Sequence, residues 1–206
     1  MTRIQRLLAA TDLSAPARHA AERAALVARE LGAALELLHV ISVAPVDRLR
    51  RLLAEASADL EARVAADAST ELQRLADSLQ QRYAIRPTMH VEHGGLLRQI
   101  DARAEASAAD MLVLGARGAS FMRHLLLGST AERMVRRTIR PMLVVKQPAR
   151  GPYRRLLVPV DYSPASLPAC RFACALAPRA ELVLLHAFEV PFEARLRSAG
   201  VQDETL

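Results

Sequence analysis

The 206-residue chain is 51% apolar and 24% charged, the composition of a folded globular protein with length for one domain and a further segment, or for two small domains. No apolar run approaches the roughly 18 residues of a membrane-spanning helix, and Asp12 breaks the apolar residues 7–10 before they could form a signal-peptide core, so a cytoplasmic location without a membrane partner is expected. The net charge of +6 comes from 28 basic residues interleaved with 22 acidic ones, and aromatics are only 3%, which speaks for solvated helix faces and against nucleic acid as a partner.

Residues 7–11 form a short apolar run, Ser14 is a suitable N-cap, and an alanine-rich amphipathic stretch follows as far as Gly32, giving strand then helix. A second apolar run at 35–41 leads past Pro45 into a long charged segment, residues 47–82, whose Ala/Leu spacing reads as helix throughout. Residues 88–92 alternate like a short strand, Gly94 and Gly95 turn the chain, and 96–107 return to helical spacing. The continuous apolar residues 111–114, bounded by Asp110 and Gly115, have the pattern of a parallel strand covered on both faces. After a loop, 129–139 are expected to be helical, and Pro141 introduces a last strand at 142–146. Strands alternating with helices in this way imply βαβ units and a parallel sheet.

Laying residues 4–41 against 153–190 exposes a repeat. RLLAATDLS at 6–14 is answered by RLLVPVDYS at 155–163, and Leu37, Leu38 and His39 by Leu184, Leu185 and His186. Two prolines and a glycine within 147–152 mark a linker between the copies. The expected organisation is a complete unit at 1–147, a linker at 148–153 and an incomplete second unit at 154–206, which amounts to a partial βαβ repeat. A piece of about 50 residues is too small to bury a good core alone. Its Cys170 and Cys174 are four apart, on one helix face, and match neither a disulfide framework nor a C-x-x-C redox pair; both are expected to be buried apolar residues.

All basic residues but Lys146 are arginine. Lys146 precedes Gln147 and Pro148, which fits neither a Walker A loop nor the third strand of a protein kinase. The histidines form no metal set: His90 and His93 fall on opposite faces of a strand, and His39 reads as a strand-end core residue.

The segment 114–132 carries the most chemistry. Gly115 and Gly118 follow the buried strand, and Gly128 with Ser129 opens the next helix, so free backbone N–H groups converge where an open α/β sheet binds anions. Glycine lets phosphate oxygens approach the backbone with no Cβ in the way. The alternative is that Gly115 merely ends a strand and that Ser129 and Glu132 form a ligand-free capping box.

Together, Gly115-x2-Gly118-x9-Gly128-Ser129, Thr11-Asp12-Leu13-Ser14, Leu37-Leu38-His39-Val40 and Pro141-Met142-Leu143-Val144-Val145-Lys146 resemble the universal stress protein family over residues 3–147. The resemblance implies an open five-stranded parallel sheet of order 3-2-1-4-5 with helices on both faces, and ATP at the carboxyl ends of its strands. It sets Ala10, Thr11, Asp12 and Val40 around adenine and ribose, Gly115 behind the ribose, and Arg117 and Gly118 along the phosphates. Gly128, Ser129 and Thr130 would hold the β- and γ-phosphates. AMP or ADP are alternative ligands, and Mg²⁺ or Mn²⁺ would ride on the phosphates without protein side-chain ligands. Asp12 has a second reading, as acceptor of backbone N–H groups in the turn before Ser14. Ala10 replaces the family's usual proline.

The second unit repeats Asp12 as Asp161 but has no counterpart of the glycine loop, so one site per chain is expected. Family members commonly pair through the fifth strand, which implies a homodimer through the edge strand at 142–146, from Met142 to Lys146, or through the second unit. No residue near the motif is an evident general base, and His124 is the only titratable candidate within the loop, so the expected role is a nucleotide-dependent stress-response sensor or regulator with slow hydrolysis at most. The alternative is a non-catalytic interaction module with an empty or AMP-occupied site.

Overall fold

A computed structural model describes residues 3–42, 57–116 and 128–188, with the backbone alone at 57–60. The chain divides into two compact units, Thr2–Pro152 and Tyr153–Leu206. None of the described helices is long and apolar enough to cross a membrane.

The first unit runs β1 (Arg6–Ala10), α1 (Ala15–Leu31), β2 (Ala34–Ile41), α2 (Ser57–Tyr83), β3 (Thr88–His93), α3 (Leu96–Ala106), β4 (Met111–Gly115), α4 (Ser129–Val135) and β5 (Met142–Val145). Its five strands form one parallel sheet in the order β3-β2-β1-β4-β5, as the resemblance implied. The expected helix at 47–82 is present from Ser57; residues 47–56 lie outside the described ones.

Because strand side chains alternate between faces, β1 sends Leu7 and Ala9 to one side and Leu8 to the other, and all three are buried. The Leu8 face joins Leu38, Val40, Leu112 and Leu114 to Ile100 and Ala104 of α3 and to Ala131 and Met134 of α4. Helices α1 and α2 pack together and against the strands from the other side. Burial on both faces is why these parallel strands read as continuous apolar runs.

Local chemistry sets the element ends. Ser14 Oγ accepts the Ala17 amide at 3.4 Å to cap α1, and Gly32 closes the helix at φ 63°, a conformation that glycine adopts without steric cost. Both amides at the start of β1, Gln5 N and Arg6 N, donate to Asp110 Oδ2 at 2.7 and 2.9 Å, which ties β1 to the residue before β4.

The expected helix at 129–139 is a correction: α4 ends at Val135. Thr138 and Ile139 are β-branched, Pro141 disfavours helical backbone at Arg140, and the Arg140 amide turns to Thr138 Oγ1 at 3.1 Å. Ile139 is left 97% exposed.

The second unit comprises β6 (Arg155–Pro159), α5 (Ser166–Leu176) and β7 (Glu181–Leu185), with β6 and β7 parallel. Arg155, Leu156 and Leu157 pair with Glu181, Leu182 and Val183 as Arg6, Leu7 and Leu8 pair with Ala34, Leu35 and Glu36. This partial repeat therefore copies register as well as sequence. Its cysteines are another correction: Cys174 is exposed and Cys170 only partly covered. No residue of α5 is buried, because a helix over two strands has too little beneath it to enclose a thiol.

Candidate functional site

The order β3-β2-β1-β4-β5 has its switch point between β1 and β4, where successive connections leave in opposite directions and a crevice opens at the carboxyl ends. A cavity of ≈ 260 Å³ lies there. Ala10, Thr11 and Asp12 line it after β1, Val40 and Ser42 after β2, Leu114 and Gly115 at the end of β4, and Gly128, Ser129, Thr130 and Ala131 at the start of α4. Ala17 of α1 and Leu96 and Ile100 of α3 complete the wall.

The turn after β1 is held by its own polar groups. Thr11 is buried, its amide donates to Leu38 O at 2.9 Å, and its Oγ1 accepts the Leu13 amide at 3.0 Å. Asp12 Oδ1 accepts the Ser14 amide at 3.1 Å, so the turn-forming reading of Asp12 holds in the structure. These bonds support Leu13 at φ 63°, a left-handed conformation that costs a non-glycine residue about 1 kcal/mol. His39 Nδ1 lies 2.9 Å from Thr11 O. A carbonyl only accepts, so Nδ1 carries the proton in this bond.

On the opposite side, the Ala116 amide extends the β4–β5 ladder to Val145 O at 2.8 Å, and the Gly128 amide returns to Ala116 O at 2.6 Å. That pair of bonds draws the two ends of the glycine segment together. Gly128, at φ −67° and ψ 150°, is the N-cap of α4, and as a glycine it gives that end no side-chain cap of its own. The capping-box alternative is thus not formed: Ser129 is already helical, and the Glu132 carboxylate accepts Arg136 at 3.1 Å. N-terminal amides with the Ser129 and Thr130 hydroxyls suit an anion, and the apolar Val40, Leu96, Ile100 and Leu114 suit a planar base. Asp12 is the one charged residue among the described lining residues.

Eight of the ten residues expected at a nucleotide site, Ala10, Thr11, Asp12, Val40, Gly115, Gly128, Ser129 and Thr130, line this single cavity. The other two, Arg117 and Gly118, lie outside the described residues, as does His124. Ala17, Ser42, Leu96, Ile100, Leu114 and Ala131 were not anticipated; they come from five segments that only the folded sheet brings together.

Beneath the α3 side of the sheet, Glu36 Oε2 accepts Arg103 Nε at 2.9 Å and lies 3.2 Å from His90 Nε2. The ring nitrogen is buried beside that carboxylate without a well-made hydrogen bond. Burial, reinforced by the Arg103 charge, lowers the His90 pKa below its ordinary 6.5 despite the opposing pull of Glu36 and Glu92.

Residues 3–146 match the Universal stress protein family. Universal stress protein MJ0531 of Methanocaldococcus jannaschii is 27% identical over 146 residues, which are 71% of this chain and 84% of that one. Among solved structures, universal stress protein UspA from Lactobacillus plantarum superposes with a TM-score of 0.60 at 21% identity, covering 71% of this chain and 100% of its own. A universal stress protein in complex with cAMP superposes with a TM-score of 0.51 at 21% identity, covering 70% of this chain and 98% of its own. At such identities the superpositions speak for the fold alone.

Proposed function

The chain belongs to the universal stress protein family, and from that premise we propose that it is a cytoplasmic stress-response regulator that binds ATP in the cavity between β1 and β4. The observation that carries this reading is the convergence on one cavity of all eight described residues of the expected nucleotide site. Adenine would lie on the apolar wall of Val40 and Leu114, with Asp12 within the region of base and ribose. The phosphates would be taken by the amides and hydroxyls of Ser129 and Thr130, together with Gly128 and the neighbouring Arg117 and Gly118. Bound Mg²⁺ or Mn²⁺ would offset the charge of the triphosphate, ligated by phosphate oxygens and water; the site's described side chains offer it little besides the carboxylate of Asp12.

The nucleotide serves here as a signal or structural ligand. Among the described lining residues the carboxylate is that of Asp12, whose Oδ1 accepts the Ser14 amide in the turn, and we read turnover as slow hydrolysis at most. That another protein of this fold is in complex with cAMP favours adenine as the base. Two chains would pair through β5, a sheet-edge strand whose Met142, Leu143 and Val144 are only partly buried.

Calorimetric titration of ATP with Mg²⁺ into the nucleotide-stripped chain tests the reading, alongside Gly118→Val, whose side chain would obstruct the phosphates. Saturable binding that the variant loses is the expected result. A folded native chain that takes up neither ATP nor AMP overturns it and leaves a protein-interaction module.

A further inference from the structure

The turn that forms the β1 wall of the cavity is built twice in this molecule. Thr11 N donates to Leu38 O at 2.9 Å, and Val160 N to Leu185 O at 2.8 Å. Ser14 N donates to Asp12 Oδ1 at 3.1 Å, and Ser163 N to Asp161 Oδ1 at 3.0 Å. Leu13 and Tyr162 take the same left-handed φ, 63° and 60°. In each copy the histidine that follows the second strand's Leu-Leu pair places Nδ1 against the carbonyl before the aspartate: His39 on Thr11 O at 2.9 Å and His186 on Val160 O at 2.8 Å.

The threonine hydroxyl is not part of what recurs, since Val160 stands in for Thr11. The imidazole bond does recur, with equivalent partners in both copies, so it belongs to the turn itself. His39 is next to Val40 in β2, and neighbouring strand residues face opposite ways. Val40 lines the cavity and His39 does not, so His39 holds the Thr11 carbonyl from behind the wall.

We propose that His39 is a positioning residue for nucleotide binding: by donating Nδ1–H to Thr11 O it fixes the Thr11–Asp12 turn in the geometry that receives base and ribose. The proposal rests on the nucleotide reading given above and deepens it. Its physical content is preorganisation, since a turn already locked in the free protein needs no ordering when the ligand arrives.

The test is the same ATP–Mg²⁺ titration on the full chain for native protein, His39→Leu, His39→Asn, His39→Gln and His186→Leu, with unfolding midpoints measured in parallel. Asparagine carries its amide nitrogen at the same distance from Cβ as Nδ1, and glutamine carries it one bond further. The expected order is native and His39→Asn within about threefold of each other, with His39→Leu and His39→Gln weaker by about tenfold, the worth of one well-made hydrogen bond. His186→Leu, which removes the twin bond in the second unit, is expected to leave affinity unchanged. The imidazole ¹⁵N spectrum should show the Nδ1–H tautomer at His39 before any nucleotide is added.

Equal affinity of native and His39→Leu overturns the positioning role alone, as does an Nε2–H tautomer. Affinity lost equally in His39→Asn and His39→Leu, in folded variants, overturns it too, because the donor would then not be what matters. If His39→Leu does not fold, the contrast between asparagine and glutamine decides. A native chain that binds no nucleotide overturns the nucleotide reading, and the positioning role with it, whatever the ring spectrum shows.

Discussion

Leu8 and Leu157 hold equivalent places in the two copies of one strand, yet Leu8 is 1% exposed and Leu157 is 60% exposed. Leu38 and Leu185, two residues further along the next strand on the same face, differ in the same way, 0% against 48%. In the first unit this face is covered by α3 and α4, and the described part of the second unit has no such helices. Truncating Leu8 to alanine is expected to cost about 2–5 kcal/mol through lost burial and a residual cavity, whereas the same change at Leu157 should stay within about 0.5 kcal/mol. Urea unfolding of the two variants measures both.

His90 makes stability depend on pH. Its folded pKa lies below the unfolded value of 6.5, so below that pH the unfolded chain holds more protons and protonation pulls the equilibrium toward it. The contribution is therefore complete above about pH 6.5 and is lost as the pH falls through the lowered folded value. His90→Leu should flatten the melting temperature between pH 7 and pH 5 relative to native protein. A native-minus-variant difference that does not vary with pH removes the assignment.

Asp110 is expected to matter out of proportion to its exposure. Its Oδ2 takes both free amides at the start of β1, a central strand. Asp110→Ala should lower stability by about 1–2 kcal/mol, the worth of charge-assisted bonds discounted for solvent screening. Amide exchange at Gln5 and Arg6 should rise before exchange elsewhere in the strand.

The repeat also predicts how Thr11→Val behaves. Val160 supports the same turn without a hydroxyl, with Tyr162 at φ 60°. The variant should fold with β1 unchanged and lose about 1 kcal/mol for the missing bond to Leu13 N. Nucleotide affinity should fall only if the hydroxyl itself meets the ligand, which calorimetry on a correctly folded variant will read directly.

The order of elements was legible because β1, β2, β4 and β5 are short, mainly apolar runs, β3 alternates, and the amphipathic period of α1 stops at Gly32. The helical period at 129–135 carried on past the helix's real end, since Ile139 continues the apolar spacing while Pro141 and the β-branched pair before it break the backbone. Ser129 and Glu132 have the spacing of a capping box, but the cap is one residue earlier, at Gly128, and no pattern of side chains announces a backbone angle. The glycine and Thr-Asp residues of the cavity were readable as motifs. Ser42, Leu96 and Ile100 were not, because they reach it only through parallel register across the sheet and the packing of α3. The cysteines failed for another reason: helical spacing shows which residues share a face but not whether anything covers it.

The arginine bias of the surface has a practical corollary. Lys146 is the only side-chain amine in the sequence; it is exposed and follows β5, ahead of the first strand of the second unit. A lysine-specific protease therefore has one peptide bond to cut, between residues 146 and 147, just past the end of β5. An amine-reactive dye directed to side chains likewise has a single address, at the boundary between a finished unit and its partial copy.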